Sequence, residues 1–428
     1  MSPEQTYLVS AGLGLAALFA LHRSHRSNSR RRLVTVLPTS KVQGVFIGLV
    51  EVKGTAETAS PFVSYLSELP CVLYSWSVGE HWRREVEETY TDSEGRQQRR
   101  TRVETGVAIV ASGGDEAPFY LRDDTGHMLL HPQGAEVRPR TLFSETCGPA
   151  SGLYFGKGPA GAIPNSTFIR TFSESGIRLH DMLFVVGKAR ERGDIVAPEI
   201  AADKNAPMYL LTVESEEQVT GRLGRSMGLW VVFSMGLAGG AGWLTGNLAG
   251  KETAVIYAAS GAGGIALLWG LTWVWMVYNS LVDSRNRVRQ GWSQVEVQLA
   301  RRRDLIPSLV AAVQGLCAHE QDLQADVAAL RNHAQDGHAA GGEVRMLAER
   351  YPVLKTDPAF MSLQHELIQT EQRIALARSY FNDVATGYNN RIEVFPDNVI
   401  ARLTGFQRQP LMEAMEFERA EVKVDFAL

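Results

Sequence analysis

Two uncharged apolar stretches, residues 227–248 and 254–277, constrain this chain more than any other feature, because only Ala249-Gly250-Lys251-Glu252-Thr253 separates them. At about 1.5 Å per residue, each covers roughly 30 Å or more as a helix, the thickness of a bilayer's hydrocarbon core. The short connection predicts a tight transmembrane hairpin with both ends on one side. Residues 6–21 form a third, shorter apolar run. A cleaved signal peptide carries its basic charges before the apolar run, whereas here Glu4 precedes it and Arg23, Arg26, Arg30, Arg31 and Arg32 follow. The run therefore reads as an uncleaved anchor, with a signal peptide as its rival. The mean hydropathy of −0.11 conceals these segments by averaging them with polar ones.

Charge placement sets the expected topology. Arg222 and Arg225 precede the hairpin and Arg285, Arg287 and Arg289 follow it, while its turn holds only Lys251. The positive-inside rule then places residues 22–226 and 278–428 in the cytoplasm and the short N-terminus outside. Trp230, Trp269, Trp273 and Trp275 fall near the predicted inner ends, where indole rings favour the interface. Gly242, Gly246 and Gly250 repeat at fourfold spacing, as do Gly12, Ala16 and Ala20. Such stripes allow close approach of helices in lipid, either within one chain or between subunits.

The rest of the composition is that of a folded protein. Hydrophobic residues make up 45% and charged residues 21%, which excludes a disordered or collagen-like polymer. A net charge of −4 gives no broad positive field, so no nucleic-acid partner is expected. Cys71, Cys147 and Cys317 are odd in number and far apart; they suit a reducing compartment and cannot build a disulfide framework or a multi-cysteine zinc site.

Between residues 33 and 221 the helical period disappears. Short β-branched or aromatic runs at 45–52, 71–78, 103–111, 119–121, 183–189 and 208–213 alternate with Gly, Pro and Asp turns, as in a small antiparallel barrel or sandwich. Residues 82–105 are heavily charged around Asp92-Ser93-Glu94-Gly95 and read as a hairpin in water rather than a nucleic-acid patch, since acidic neighbours match the arginines. Residues 146–167, rich in Gly and Pro, predict a loop. Asp124-Thr125-Gly126 and Pro132-Gln133-Gly134-Ala135 read as β-turns.

These segments resemble a known family. Pro70-Cys71-Val72-Leu73-Tyr74 with Trp76 and Glu80, the run from Pro118 to Gly126, His131-Pro132-Gln133-Gly134-Ala135, and residues 177–187 look like the GIDE domain of membrane-anchored ubiquitin ligases and many bacterial membrane proteins. In those ligases the activity belongs to a separate RING domain with a Cys/His zinc framework. This chain has no CxxC pair, so the resemblance does not imply ligase activity.

After the hairpin the period becomes helical and long. One heptad row takes Leu281, Val288, Val295, Arg302, Leu309, Leu316, Leu323 and Leu330, and its companion takes Arg285, Trp292, Leu299, Ile306, Val313, Glu320 and Val327. A second run takes Phe360, Leu367, Ile374, Phe381, Tyr388 and Phe395, with Leu363, Thr370, Ala377, Val384 and Arg391. With a glycine-bearing break over residues 337–342, these predict two long antiparallel arms, the first continuous with the last membrane span and kinked at Pro307. Arg302 and Glu320 interrupt the apolar rows about 27 Å apart, too far to pair with each other. Each must turn outward or meet a partner from the second arm or another subunit, and such polar layers can fix helix register.

This region also resembles a family. Tyr278-Asn279-Ser280-Leu281-Val282, residues 292–299 and 301–310, His319-Glu320, Tyr351-Pro352-Val353-Leu354-Lys355, Phe395-Pro396-Asp397-Asn398 and Val424-Asp425-Phe426 look like LemA proteins. That resemblance implies a membrane-tethered helical bundle without an established catalytic site, and relatives linked to membrane shaping. LemA proteins usually have one N-terminal span, so the hairpin and the β-rich region depart from that plan.

A search for chemistry returns little. His319-Glu320 and His365-Glu366 lack the second histidine of HExxH, Gly156-Lys157 and Gly250-Lys251 fail the phosphate-loop pattern, and Gly148-Pro149-Ala150-Ser151-Gly152 is not GxSxG. Arg301-Arg302-Arg303 reads as a solvated face with one buried arginine, or else as an anionic-lipid or partner site. The expectation is an α+β membrane protein in four parts: an anchor (1–32), a GIDE-like β-rich domain (33–221), a transmembrane hairpin (222–279) and a LemA-like helical bundle (280–428). Its expected role is a non-enzymatic inner-membrane scaffold without catalytic site, cofactor or metal. Its expected partners are membrane lipids, further copies of itself and a protein not identified by sequence. The alternative is an enzyme whose site is assembled from distant residues of the β-rich domain.

Overall fold

A computed structural model describes residues 2–91, 97–192, 197–316, 346, 349 and 357–412. The chain divides into two units, Val45–Gln218 and the combination of Met1–Gly44 with Val219–Leu428.

The first unit contains a closed five-stranded barrel. Its strands are β1 (Gly48–Glu57), β4 (Phe119–Arg122), β5 (His127–Leu130), β9 (Met182–Glu191) and β10 (Pro198–Ile200). They follow one another as β1–β4–β5–β10–β9, and β9 returns to β1 from Met182 opposite Thr55 to Ala189 opposite Gly48. Strand β11 (Leu210–Thr212) pairs with Phe184–Val186 of β9 and with β6 (Glu136–Arg138). Val50, Val52, Leu121, Leu130, Val185 and Ile200 are fully buried inside it. Two tight turns shape its loops: Asp123 Oδ1 accepts from the Thr125 and Gly126 amides, and the Ala135 amide reaches the Pro132 carbonyl.

The second sheet is built on a long hairpin. Strand β2 (Pro70–Thr91) pairs with β3 (Gln97–Glu116) on one side and with β8 (Ser166–Arg178) on the other, and β8 carries β7 (Arg140–Cys147). Pairing with β8 ends at Trp82, so beyond it β2 and β3 continue as a two-stranded ribbon. This is the charged hairpin expected from residues 82–105. Trp76 lies opposite Gly113 and Trp82 opposite Gly106, and each indole covers the space where a glycine side chain would stand. All six strand expectations overlap observed strands, but β5, β6, β7, β8 and β10 lie outside all of them. The 146–167 loop contains one short helix, Gly152–Gly156.

The second unit is helical: α1 (Pro3–Val36), α2 (Glu216–Ala249), α3 (Lys251–Leu316), α4 (Pro358–Glu393) and α5 (Asp397–Leu403). Helices α1, α2 and α3 are long and apolar enough to cross a membrane. Helix α3 runs on through Pro307, the residue expected to kink it. Against it lies α4, with Trp292 beside Phe381 and Arg302 beside Glu371. Rising numbers on one helix meet falling numbers on the other, so the arms are antiparallel. Leu281, Val288, Val295, Leu309 and Val313 face Phe360, Leu367, Ile374, Phe381 and Tyr388 in a buried seam that follows the heptad rows. Phe395 corrects the second row: α4 ends at Glu393, and this ring is 76% exposed. The expected break at 337–342 lies outside the described residues.

Candidate functional site in the membrane bundle and the helical arms

Within the bundle of apolar helices, α1 packs beside the hairpin through hydroxyls as well as apolar side chains. Ser234 Oγ donates to the Ala17 carbonyl at 2.7 Å, Ser27 Oγ to the Leu223 carbonyl at 2.8 Å and Ser24 Oγ to the Met227 carbonyl at 3.2 Å. These contacts run α1 antiparallel to α2. Thr272 Oγ1 and His25 Nε2 share a hydrogen bond, and Ala17 and Leu21 pack on Ile265, which aligns α1 with α3. At the basic end Arg23 lies 5.8 Å from the centre of the Trp230 ring and Arg32 lies 5.6 Å from that of Trp273, a contact favoured by the ring quadrupole.

The small residues of the two stripes have different surroundings. A Cβ on Gly242 would collide with the Tyr257 carbonyl, and one on Gly246 would collide with the Ala254 backbone, so both face α3 within the hairpin. Gly250 is the turn itself, at φ +137°, a conformation that glycine adopts readily. Ala20 is buried, whereas Ala16 is exposed and nothing lies within 4 Å of a Cβ on Gly12. A cleft of about 520 Å³ opens here between α1 and the hairpin, lined by Tyr7, Ser10, Gly14, Thr245, Tyr257 and Ser260 among others.

In the arms, Arg302 is 4% exposed and its Nε lies 3.0 Å from Glu371 Oε1 on α4. The stripe arginine therefore meets a carboxylate of the second arm. Glu320 lies outside the described residues. A second ionic knot closes the base of the arms. Asp397 accepts from Arg391 at 2.7 Å and from Arg32 at 3.1 Å, while Arg391 Nη1 reaches Ser280 and Ser284. Burial pulls the Arg391 pKa below its ordinary value, although Asp397 pushes the other way.

Two asparagines then fasten the chain that follows α5. Asn389 exchanges a pair of hydrogen bonds with the backbone of Gln409, and Asn382 does the same with Met412. The spacings match: seven helical residues advance about 10.5 Å, and three extended ones advance about 10 Å. An amide side chain copies the backbone's own donor and acceptor, so α4 holds this strand without a sheet. Beside it runs a groove of about 690 Å³, lined by Arg289, Trp292, Arg378, Phe381, Pro410 and Leu411 among others.

The β-rich unit has a buried polar centre of its own. Arg170 and Glu80 are fully buried and 3.0 Å apart. Arg170 also donates to the carbonyls of Tyr154, Pro159 and Gly161 and lies 4.0 Å from the centre of the Tyr154 ring. Its five donors thus fasten the Gly/Pro-rich loop onto the sheet. Burial would raise the Glu80 pKa, but hydrogen bonds from Ser166 and Arg170 outweigh it and hold the carboxyl below its ordinary value. Glu174 does the same for residues 64–69, accepting from the Leu66 and Ser67 amides at 2.9 and 2.8 Å. On the barrel, Glu199 accepts from His131 at 3.0 Å and Arg190 at 2.7 Å. Among the described residues no three His, Cys, Asp or Glu side chains converge as a metal site would require.

Residues 291–426 match the model of the LemA family, and residues 87–245 match the GIDE model, described as E3 ubiquitin ligase. The chain thus joins a segment similar to GIDE to one similar to LemA. The LemA match takes in the far half of α3 and all of α4 and α5, while the GIDE match runs on into α2. Among curated proteins, magnetosome protein MamQ 2 of Paramagnetospirillum magneticum is 33% identical over 67 residues, or 16% of this chain and 25% of that protein. MamQ of Magnetospirillum gryphiswaldense is similar over the same share. Protein LemA of Metamycoplasma hominis is 20% identical over 158 residues, 34% of this chain and 72% of that protein. The chain thus spans about a quarter of the MamQ proteins that it matches. The chain is thus similar to the LemA family over residues 291–426 and to the GIDE family over residues 87–245, and carries three helices long and apolar enough to cross a membrane.

Arg170, Glu174 and Asn382 are residues that sequence reasoning missed, and Asn389 stood only within the LemA-like motif Tyr388-Asn389, without a role. Glu80 was visible only within a family motif, without a role. The asparagine spacing of seven was a usable signal, since it keeps both side chains near one helical face.

Proposed function

We propose that this protein is a non-enzymatic inner-membrane scaffold that self-associates and presents a β-rich unit and a pair of helical arms in the cytoplasm. The observation that carries this reading is helix α3. It runs as one element of 66 residues from the apolar hairpin into the buried arm seam. A continuous helix makes the arm a stiff extension of the membrane span, as suits a protein that organises a surface or recruits to it. The arginines that flank both hairpin ends support the cytoplasmic orientation. The serine contacts of α1 with α2 support a retained anchor rather than a cleaved leader.

The competing reading is ligase-like or other enzymatic activity in the GIDE segment, favoured by the description of its matched family model. The missing CxxC pairs argue against a RING-type ligase. One experiment separates the two. The purified full chain in liposomes is expected to form defined oligomers and to deform the vesicles without turning over ubiquitin conjugates or ester substrates. Turnover that survives stringent purification, from a monomer that leaves vesicles unchanged, would overturn the scaffold reading. Orientation has its own check. Membrane-impermeant thiol reagents on intact cells are expected to label a cysteine introduced at Lys251 and not one introduced at Gly95 or Gly341.

A further inference from the structure

Among the described residues, strand β3 has a neighbour on one side only. Its ladder with β2 is regular from Gln97 opposite Thr91 to Ile109 opposite Gly79, and a bulge follows. A regular edge of this length, free of proline and lysine, is a template for another strand. One face of it is apolar and open to solvent: Val103 is 45% exposed, Val107 55% and Ile109 71%.

We infer that a second copy of this chain occupies that edge, with β3 pairing antiparallel to β3 about a twofold axis at Val103. This inference rests on the self-association proposed above and names the surface. In that register Arg102 of each copy stands opposite Glu104 of the other, Thr101 stands opposite Thr105, and Val103 meets its own counterpart. Opposite charges and Thr–Thr pairs across strands each stabilise a sheet, and like charges destabilise it. The register is selective. Moving the axis by one residue sets either Arg102 against Arg102 or Glu104 against Glu104. Moving it to Thr105 sets Arg102 against Ala108 and removes both ion pairs. The pairing also extends charge rows already present, because Arg84 holds Glu104 at 2.7 Å and Glu88 lies 3.6 Å from Arg102. A self-complementary patch of this kind is what a twofold interface requires.

The test uses the full chain in mild detergent. Directly opposite residues of an antiparallel pair have Cα atoms about 4.5–5.5 Å apart, within disulfide reach. Val103→Cys is therefore expected to give a disulfide-linked dimer under mild oxidation, well above the background set by the native cysteines. Val107→Cys is not, because the two copies of that position are about 27 Å apart. Arg102→Glu is expected to weaken association about tenfold, and Arg102→Glu with Glu104→Arg to restore it. A multimeric mass with equal linking at both positions, and no effect of the charge reversal, would refute strand pairing while leaving self-association intact. A single-copy mass would remove both.

Discussion

The β-rich unit and the helical arms put charges in their interiors for different ends. In the arms the seam is apolar and Arg302 forms one ionic layer with Glu371 between two regular helices. In the β-rich unit Glu80, Arg170 and Glu174 are buried so that irregular segments can be held. Helices satisfy their own backbone groups, so a charge between them can serve alignment. A loop lying on a sheet leaves carbonyls and amides without ladder partners, and a buried ion with several donors or acceptors supplies them.

The largest expected effect breaks the β-rich side of this contrast. Arg170→Met strands the Glu80 carboxylate and frees three loop carbonyls, and should cost about 3–5 kcal/mol. Faster cleavage within residues 148–165 and a lower melting temperature of the full chain would register it. On the arm side, Arg302→Leu should cost less, about 2–3 kcal/mol, because Glu371 is already 19% exposed and can reach water. Adding Glu371→Leu should recover most of that loss, since an apolar pair suits the seam. A double variant no more stable than the single one would show that the pair is required for more than charge balance.

In the membrane bundle, Gly242→Leu must push α2 off the Tyr257 backbone and should lower stability by about 1–3 kcal/mol. Nothing lies within 4 Å of a Cβ at Gly12 in the single chain, so Gly12→Ala should not lower the monomer's melting temperature. Acid sharpens the comparison further. Burial opposes ionisation of Glu80, Glu174 and Glu199, yet their hydrogen-bond partners leave each with a lowered pKa. Their contribution is therefore complete above the ordinary value of 4.5 and declines as pH falls below it toward the folded values. The β-rich unit should lose its tertiary signal at a higher pH than the arms, followed by probes placed in each. The smallest effect belongs to Ser234→Ala, about 0.6 kcal/mol for one interhelical hydrogen bond.

The same contrast explains what the sequence made legible. Spans and arms follow a period of apolar residues, and Leu281, Val288, Val295, Leu367 and Ile374 all fall where that period puts them. Strand β8 was invisible to the same reasoning. Its inward positions include Arg170 and Glu174 beside Phe172 and Gly176, so an alternation of apolar and polar residues points to the wrong face or to none. Strands β5, β6 and β10 are only three or four residues long, too short for any period to establish itself. Arg302 showed itself as an exception in a regular row. Its partner Glu371 did not, because pairing between arms depends on their offset, and offset is not written in either arm alone.

Helix α3 is also a mechanical element. From Tyr278 to Leu316 it extends roughly 58 Å past the apolar span. If the span tilts by about 10° as the bilayer thins or curves, the far end of such a rod sweeps about 10 Å, several times the displacement at the membrane surface. In a bilayer, thickness and curvature would thereby be converted into position at the tip of a lever.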